Sequence, residues 1–361
     1  MRVTVFGGGN IGTEFAVMFA EKGHDVTVFT SRPDEINTHL EIADETGRVM
    51  HSGEIRLVTN DPSIAVADAD CIFITFPAFM MAQTAKMIAP HVKRGAWIGM
   101  VPGTGGGEFA FSEVFKTGCV VFGLQRVPGV ARLVEYGKRV CVAGLRPRLH
   151  VGVIPQEAGV AVARMLSENL QMPCTLLANY LTVTLTPSNP ILHTTRLRTL
   201  FSDYHPGVVY ERNPLFYGDW NDASSELLLA CDGELQQVCH RFAENGVDLS
   251  GVHSLRQHYE SNTVQELTRK ISSIESLHSL PSPMEQIKGG YLPDFSSRYF
   301  TADFPYGLAI IQEIAKLAEV EIPYIDATMD WYRKVTHDMT QFRLAQYGVY
   351  VFRDLCEFYA R

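Results

Sequence analysis

The chain has 361 residues, a formal net charge of −9 and 46% hydrophobic residues. That length favours two hydrophobic cores over one, and an acidic chain without a basic cluster is poorly suited to nucleic acid. No apolar run reaches the roughly 18 residues of a membrane span, and a strand begins beside Met1 with no leader pattern, so a cytoplasmic protein without a membrane partner is expected.

The first element is the β-prone run Val3-Thr4-Val5-Phe6, which leads directly into Gly7-Gly8-Gly9-Asn10-Ile11-Gly12 and then into the helical run from Phe15 to Ala20. In a strand-turn-helix of the form G-x-G-x-x-G, Gly7 permits the tight turn and Gly9 admits a diphosphate close to the backbone. Gly12 lets the helix pack near the strand, and the N–H groups around Asn10 and Ile11 at the helix start favour an anion. The predicted ligand is a dinucleotide. A second strand, His24 to Phe29, ends at Thr30-Ser31-Arg32, where an NAD site usually carries an acidic residue for the ribose 2′-hydroxyl. Two hydroxyls and a guanidinium suit a 2′-phosphate instead, which favours NADPH. Asp34 or Glu35 can still reach a ribose hydroxyl, so NADH stays open.

Further strands are read at Cys71–Phe76, Ala96–Val101, Val120–Leu124 and Arg139–Ala143, with a crossover helix over Ala82–Ala89. This alternation predicts an α/β Rossmann-type domain with a parallel sheet over residues 1–185. Ligands gather beyond the carboxyl ends of such strands, so Pro77 and Ala78 after one strand, and Gly103 and Thr104 after the next, are expected to face the cofactor. Gln125-Arg126 and Arg132 lie on an expected loop, where they can serve an anionic ligand or simply face water. Residues 186–361 read as a mainly α-helical domain. Leu228, Cys231, Leu235, Val238 and Phe242 form one core-facing stripe, and Leu308, Ile311, Ile314, Ala315 and Ala318 another. Lys288-Gly289-Gly290 marks a loop. The seven cysteines are scattered without a C-x-x-C pair and the histidines lack metal-ligand spacing, so no metal is expected.

Two segments of the second half carry polar chemistry: Asn189-Pro190-Ile191-Leu192-His193, and Arg298-Tyr299 with Asp303 four residues further on, ahead of Gly307. With the N-terminal glycine motif and Phe216-Tyr217, their order and spacing resemble the octopine/nopaline (opine) dehydrogenase family over nearly the whole length. The resemblance implies reductive condensation of an amino acid's amine with a 2-oxo acid, using NAD(P)H, in the cleft between two domains. It also implies a catalytic group of His193, Arg298 and Asp303. The residue types suit that chemistry, with His193 as general acid and base, Arg298 as a bidentate carboxylate holder, and Asp303 as the partner that orients the imidazole. Asp303 also stands where a helix N-cap would. Phe216 to Trp220 is read either as a pocket wall or as core.

Thr30-Ser31-Arg32 departs from the NAD-selective members of that family. Reduction of a 2-oxo acid to a hydroxy acid, as in ketopantoate reductases, is an alternative, although those enzymes use a lysine and the only lysines between Thr186 and Ser297 are Lys270 and Lys288. A non-catalytic NADP-binding sensor is another. Which amino acid, which oxo acid, and whether the chain forms a homodimer are left open by the sequence.

Overall fold

Strand β1 (Arg2–Phe6) is buried along Val3 to Phe6, as befits a strand covered on both faces. In the computed structural model, which describes residues 1–360, it is one of twelve strands in a unit formed by Met1–Thr184 with Tyr359 from the end of the chain. The others are β2 (Asp25–Phe29), β3 (His39–Ala43), β4 (Val49–Glu54), β5 (Leu57–Thr59), β6 (Cys71–Ile74), β7 (Trp97–Met100), β8 (Val120–Leu124), β9 (Val130–Glu135), β10 (Arg139–Ala143), β11 (Leu149–Ile154) and β12 (Cys174–Leu176). Eight of them form one sheet in the order β12-β11-β8-β7-β6-β1-β2-β5. From β5 through β8 all pairs are parallel, with Val3 opposite Val26 on one side and Cys71 on the other. The Rossmann-type α/β reading of this half holds.

Two features depart from the purely parallel sheet expected. Strand β11 runs antiparallel to β8. Arg139–Ala143 joins a second sheet, ordered β4-β3-β10-β9, because only a tight turn at Gly137, with φ +71°, connects β9 to β10. A connection that short can make only an antiparallel pair. The second sheet lies on the helix Asn10–Glu21, and Gly53 of β4 comes so close that an added Cβ would sit 2.6 Å from Cβ of Ala20. The helix is thereby buried over Gly12–Phe19, including Glu14.

Glu14 has a buried carboxylate oxygen without a hydrogen-bond partner, and burial pushes its carboxyl up to about 8. Glu108, fully buried in the helical turn after the glycine-rich loop, is pushed by burial up to about 7. One of its oxygens accepts from the hydroxyls of Thr184 and Tyr359, the latter at 2.8 Å, and the other has no partner.

The other unit, Leu185–Phe358, is mainly helical and centres on the helix Asp222–Ala243. Asn221 caps it, accepting from the Ser224 N–H at 2.9 Å. The predicted stripe Leu228, Cys231, Leu235, Val238 and Phe242 is wholly buried, facing the helices Thr194–Leu200, Val264–Ser272, Ala309–Leu317 and Pro323–Thr336. Two acidic residues of the central helix cap its neighbours from inside: Asp232 accepts from Leu255 N–H at 2.8 Å, and Glu234 from Tyr324 and Ile325 N–H at 2.7 and 2.9 Å. Lys288-Gly289 proves to be the turn of a small hairpin, Met284–Ile287 with Gly290–Pro293. Among the described residues, no helix is long and apolar enough to cross a membrane, and no cluster of three or more His, Cys, Asp or Glu side chains is arranged to hold a metal.

Because Glu14 and Glu108 hold protons in the native state that the unfolded chain releases near 4.5, their burial costs stability once the unfolded carboxylates ionise. Stability falls as pH rises from about 4.5 through 7 to 8. Calorimetric melting between pH 5 and 9 should show this decline, and Glu108→Gln should flatten part of it.

Candidate active site

The glycine turn is built as its spacing predicts. Gly7 adopts φ +121° and its N–H donates to the Phe29 carbonyl at 2.9 Å, tying the turn to β2. A Cβ on Gly12 would collide with the Gly7 carbonyl oxygen, so only glycine lets the helix start this close to the strand. Gly9 has no atom within 4 Å of where a Cβ would stand. That open space beside a helix N-terminus fits the pyrophosphate of a dinucleotide. Ile11 packs against the core, and the side chain of Asn10 turns away to accept from Leu133 N–H at 2.8 Å, leaving main-chain groups for an anion.

At the end of β2, Thr30 is buried and its hydroxyl accepts from Arg32 N–H at 3.3 Å, while Ser31 and Arg32 are exposed. The Arg32 guanidinium lies 4.0 Å from the ring centroid of Tyr136 and pairs with Glu35 at 3.1 Å. Pro77 and Ala78 follow β6 and are half-buried. Gly103 is buried, its N–H donating to Leu124 and its carbonyl accepting from the Tyr180 hydroxyl at 2.9 Å. Thr104, half-buried, is the polar side chain of that pair.

In the helical unit, His193 ends a π-helical turn, Asn189–His193, and a second such turn, Phe304–Leu308, follows Asp303. Wide turns of this kind recur at functional sites. Pro190 sits in the first turn, where no N–H is needed, and the Thr194 and Thr195 hydroxyls bond back to the Pro190 and Ile191 carbonyls at 2.6 and 2.7 Å. Gly307 lies against Pro190, since a Cβ there would be 3.1 Å from the proline's own Cβ. That close approach brings His193 Nδ1 to 2.8 Å from Asp303 Oδ2, with the side chains only 12% and 17% exposed. Asp303 makes no side-chain bond to the turn it precedes, so its carboxylate serves the imidazole and not a helix cap.

The second imidazole nitrogen, Nε2, lies 3.0 Å from the Tyr217 hydroxyl. With Asp303 accepting at Nδ1–H, the neutral form of the imidazole presents Nε2 as an acceptor, to which the Tyr217 hydroxyl donates. Burial pushes the Tyr217 phenol well above its ordinary range and keeps it protonated. Phe216 and Tyr299 flank the ring at centroid distances of 5.5 and 4.7 Å. Arg298, next to Tyr299, is exposed and forms no ion pair among the described residues. The structure thus joins His193 to Asp303 directly and leaves Arg298 as an unpaired cation on the adjoining turn.

One contributor was not anticipated. Arg196, three residues beyond His193 and 1% exposed, donates to the carbonyls of Leu215, Phe216 and Asp219 and to the Ser224 hydroxyl at 2.9–3.3 Å. It therefore fixes the loop that carries Tyr217. Burial lowers its guanidinium to about 10, still charged at neutral pH.

A glycine cradle of this form on a parallel sheet, followed by a helical domain bearing an oriented histidine, is the arrangement expected of a two-domain NAD(P)-dependent oxidoreductase. Residues 2–107 match the model of the NAD-dependent glycerol-3-phosphate dehydrogenase N-terminus. Residues 176–336 match that of the NAD/NADP octopine/nopaline dehydrogenase alpha-helical domain. Octopine dehydrogenase of Pecten maximus is 28% identical over 92% of this chain and 89% of its own, and tauropine dehydrogenase of Arabella iricolor 27% identical over 92% and 91%. A solved octopine dehydrogenase with NADH and L-arginine superposes with a TM-score of 0.85 at 24% identity, covering 99% of this chain and 98% of that one. The chain thus carries an octopine/nopaline dehydrogenase alpha-helical domain over residues 176–336 and is similar to opine-type dehydrogenases over most of its length.

The two glycines separate binding from folding. Gly9→Ala should melt within a few degrees of the parent yet lose most of its dinucleotide affinity by titration calorimetry, whereas Gly12→Ala should lower the melting temperature sharply.

Proposed function

We propose that this protein condenses the amine of an amino acid with a 2-oxo acid and reduces the resulting imine with NAD(P)H. The buried His193–Asp303 hydrogen bond, within a domain that matches the octopine/nopaline dehydrogenase helical domain, carries the reading. An octopine and a tauropine dehydrogenase among its relatives, and L-arginine with NADH in the similar structure, support the substrate class.

Attack on a carbonyl needs a free amine, and loss of the carbonyl oxygen as water needs a proton delivered to it. His193, neutral at Nε2 and held at Nδ1, can take the first proton and return the second. The Asp303 carboxylate stabilises the imidazolium that exists in between. Arg298, its charge unpaired, holds the carboxylate of the oxo acid through paired N–H groups. When bound, the reduced nicotinamide supplies the hydride that reduces the imine carbon.

We also propose a preference for NADPH. Arg32 stands at the carboxyl end of β2, and its surface pairing with Glu35 is of the kind that contributes at most about 1 kcal/mol, so the guanidinium can turn to a 2′-phosphate.

NAD(P)H oxidation, followed by absorbance, should require both an amino acid and a 2-oxo acid. Oxidation with the oxo acid alone would instead mean a hydroxyacid dehydrogenase. His193→Ala should lower kcat by about 10²- to 10⁴-fold with dinucleotide affinity unchanged, and Arg298→Ala should raise the KM for the oxo acid by roughly 10- to 100-fold. Arg32→Ala should shift the ratio of kcat/KM values toward NADH; an unaltered ratio would remove Arg32 from cofactor selection.

A further inference from the structure

Both nitrogens of His193 are already engaged. Nδ1 donates to Asp303, and the single lone pair of Nε2 accepts from Tyr217 at 3.0 Å. No ring nitrogen is left for a substrate, so a substrate proton either passes through the Tyr217 hydroxyl or must first displace it. We propose that Tyr217 is a further catalytic residue, a relay that carries the proton between the substrate and His193 Nε2. This rests on the reading of His193 as the acid and base.

Displacement is the costlier route. Tyr217 is only 7% exposed, and a buried hydroxyl that loses its partner gives up a hydrogen bond that water cannot replace there. The loop that holds it cannot swing freely, because Arg196 grips the carbonyls of Leu215, Phe216 and Asp219 around Tyr217, and the Asp219 carboxylate accepts from Leu215 N–H at 2.9 Å. Trp220 stacks against the Tyr217 ring at 6.4 Å and donates to Ser225 at 3.0 Å, pinning the other side.

The relay balances without an ionised phenol. As the substrate ammonium gives up a proton, a new O–H bond forms at Tyr217 while its original O–H breaks and an N–H forms at Nε2. The amine keeps its electron pair for attack on the carbonyl, and the positive charge arrives on the imidazolium opposite Asp303. On dehydration the transfer reverses: Nε2–H returns its proton to the phenol oxygen, and the phenol passes its own to the departing hydroxyl, which leaves as water. Burial holds the phenol protonated, so it cannot release its proton to water and must exchange it with Nε2 in the same event. A hydroxyl suits this place because it donates and accepts at one atom, whereas a main-chain N–H or carbonyl does only one.

The test is a double-mutant cycle on kcat, using the amino acid and 2-oxo acid pair that gives the fastest NAD(P)H oxidation. Tyr217→Phe removes only the hydroxyl and should lower kcat about as much as His193→Ala, by about 10²- to 10⁴-fold. The double variant should fall no more than a few-fold below either single one, because the two groups act in series. Dinucleotide affinity should stay close to the parent in all three variants, which excludes a folding defect. A Tyr217→Phe enzyme as fast as the parent, or faster, would show that substrate displaces the hydroxyl and would overturn the relay, as would losses that multiply in the double variant. Full activity in His193→Ala would instead refute the acid/base assignment of the histidine itself.

Discussion

His193 and Asp303 stand 110 positions apart in the chain and 2.8 Å apart in space, and the helical unit is arranged around that hydrogen bond. It requires two helices to begin with wide turns that touch, and they touch at Pro190 and Gly307, where a side chain on the glycine would press into the proline ring. Proline is tolerated there because a first helical turn has no N–H to lose, and the freed carbonyls find the hydroxyls of Thr194 and Thr195. The aromatic rings of Phe216, Tyr217 and Tyr299 then screen the pair from water, which strengthens the hydrogen bond and makes any unpaired polar atom beside it costly.

The same demand that buried polar groups find partners runs through both units. Arg196 directs its N–H groups to carbonyls of a loop with no regular structure of its own, and Asp232 and Glu234 close the open N-terminal ends of neighbouring helices. In the dinucleotide-binding unit, a helix enclosed by two sheets leaves a carboxyl oxygen of Glu14 buried without a partner, and there the carboxyl answers by holding its proton.

Periodicity made much of this legible. The stripe from Leu228 to Phe242 is buried as its three- and four-residue steps require, and the run Val3 to Phe6 is a central strand because every one of its side chains can be covered. The second sheet was not legible: Arg132 was expected on a loop but lies in β9, and the short turn at Gly137 pairs β9 with β10, away from the parallel sheet. Arg196 looked like an ordinary charged residue in a helix, since nothing local marks a guanidinium whose partners lie about twenty residues further along.

The glycine cradle and the helical character of the second half are written in the order of residues alone, because spacing along one short segment decides whether a turn can be tight or a helix face apolar. The residue types expected of an acid/base centre, in His193, Arg298 and Asp303, are written there too. Packing in three dimensions decides the rest: Asp303 faces an imidazole and not its own helix, Tyr217 takes the remaining nitrogen, and Arg298 forms no ion pair among the described residues. Those outcomes depend on side chains from segments more than twenty residues apart meeting within about 3 Å, which is set by how helices and loops pack and has no signature in local order.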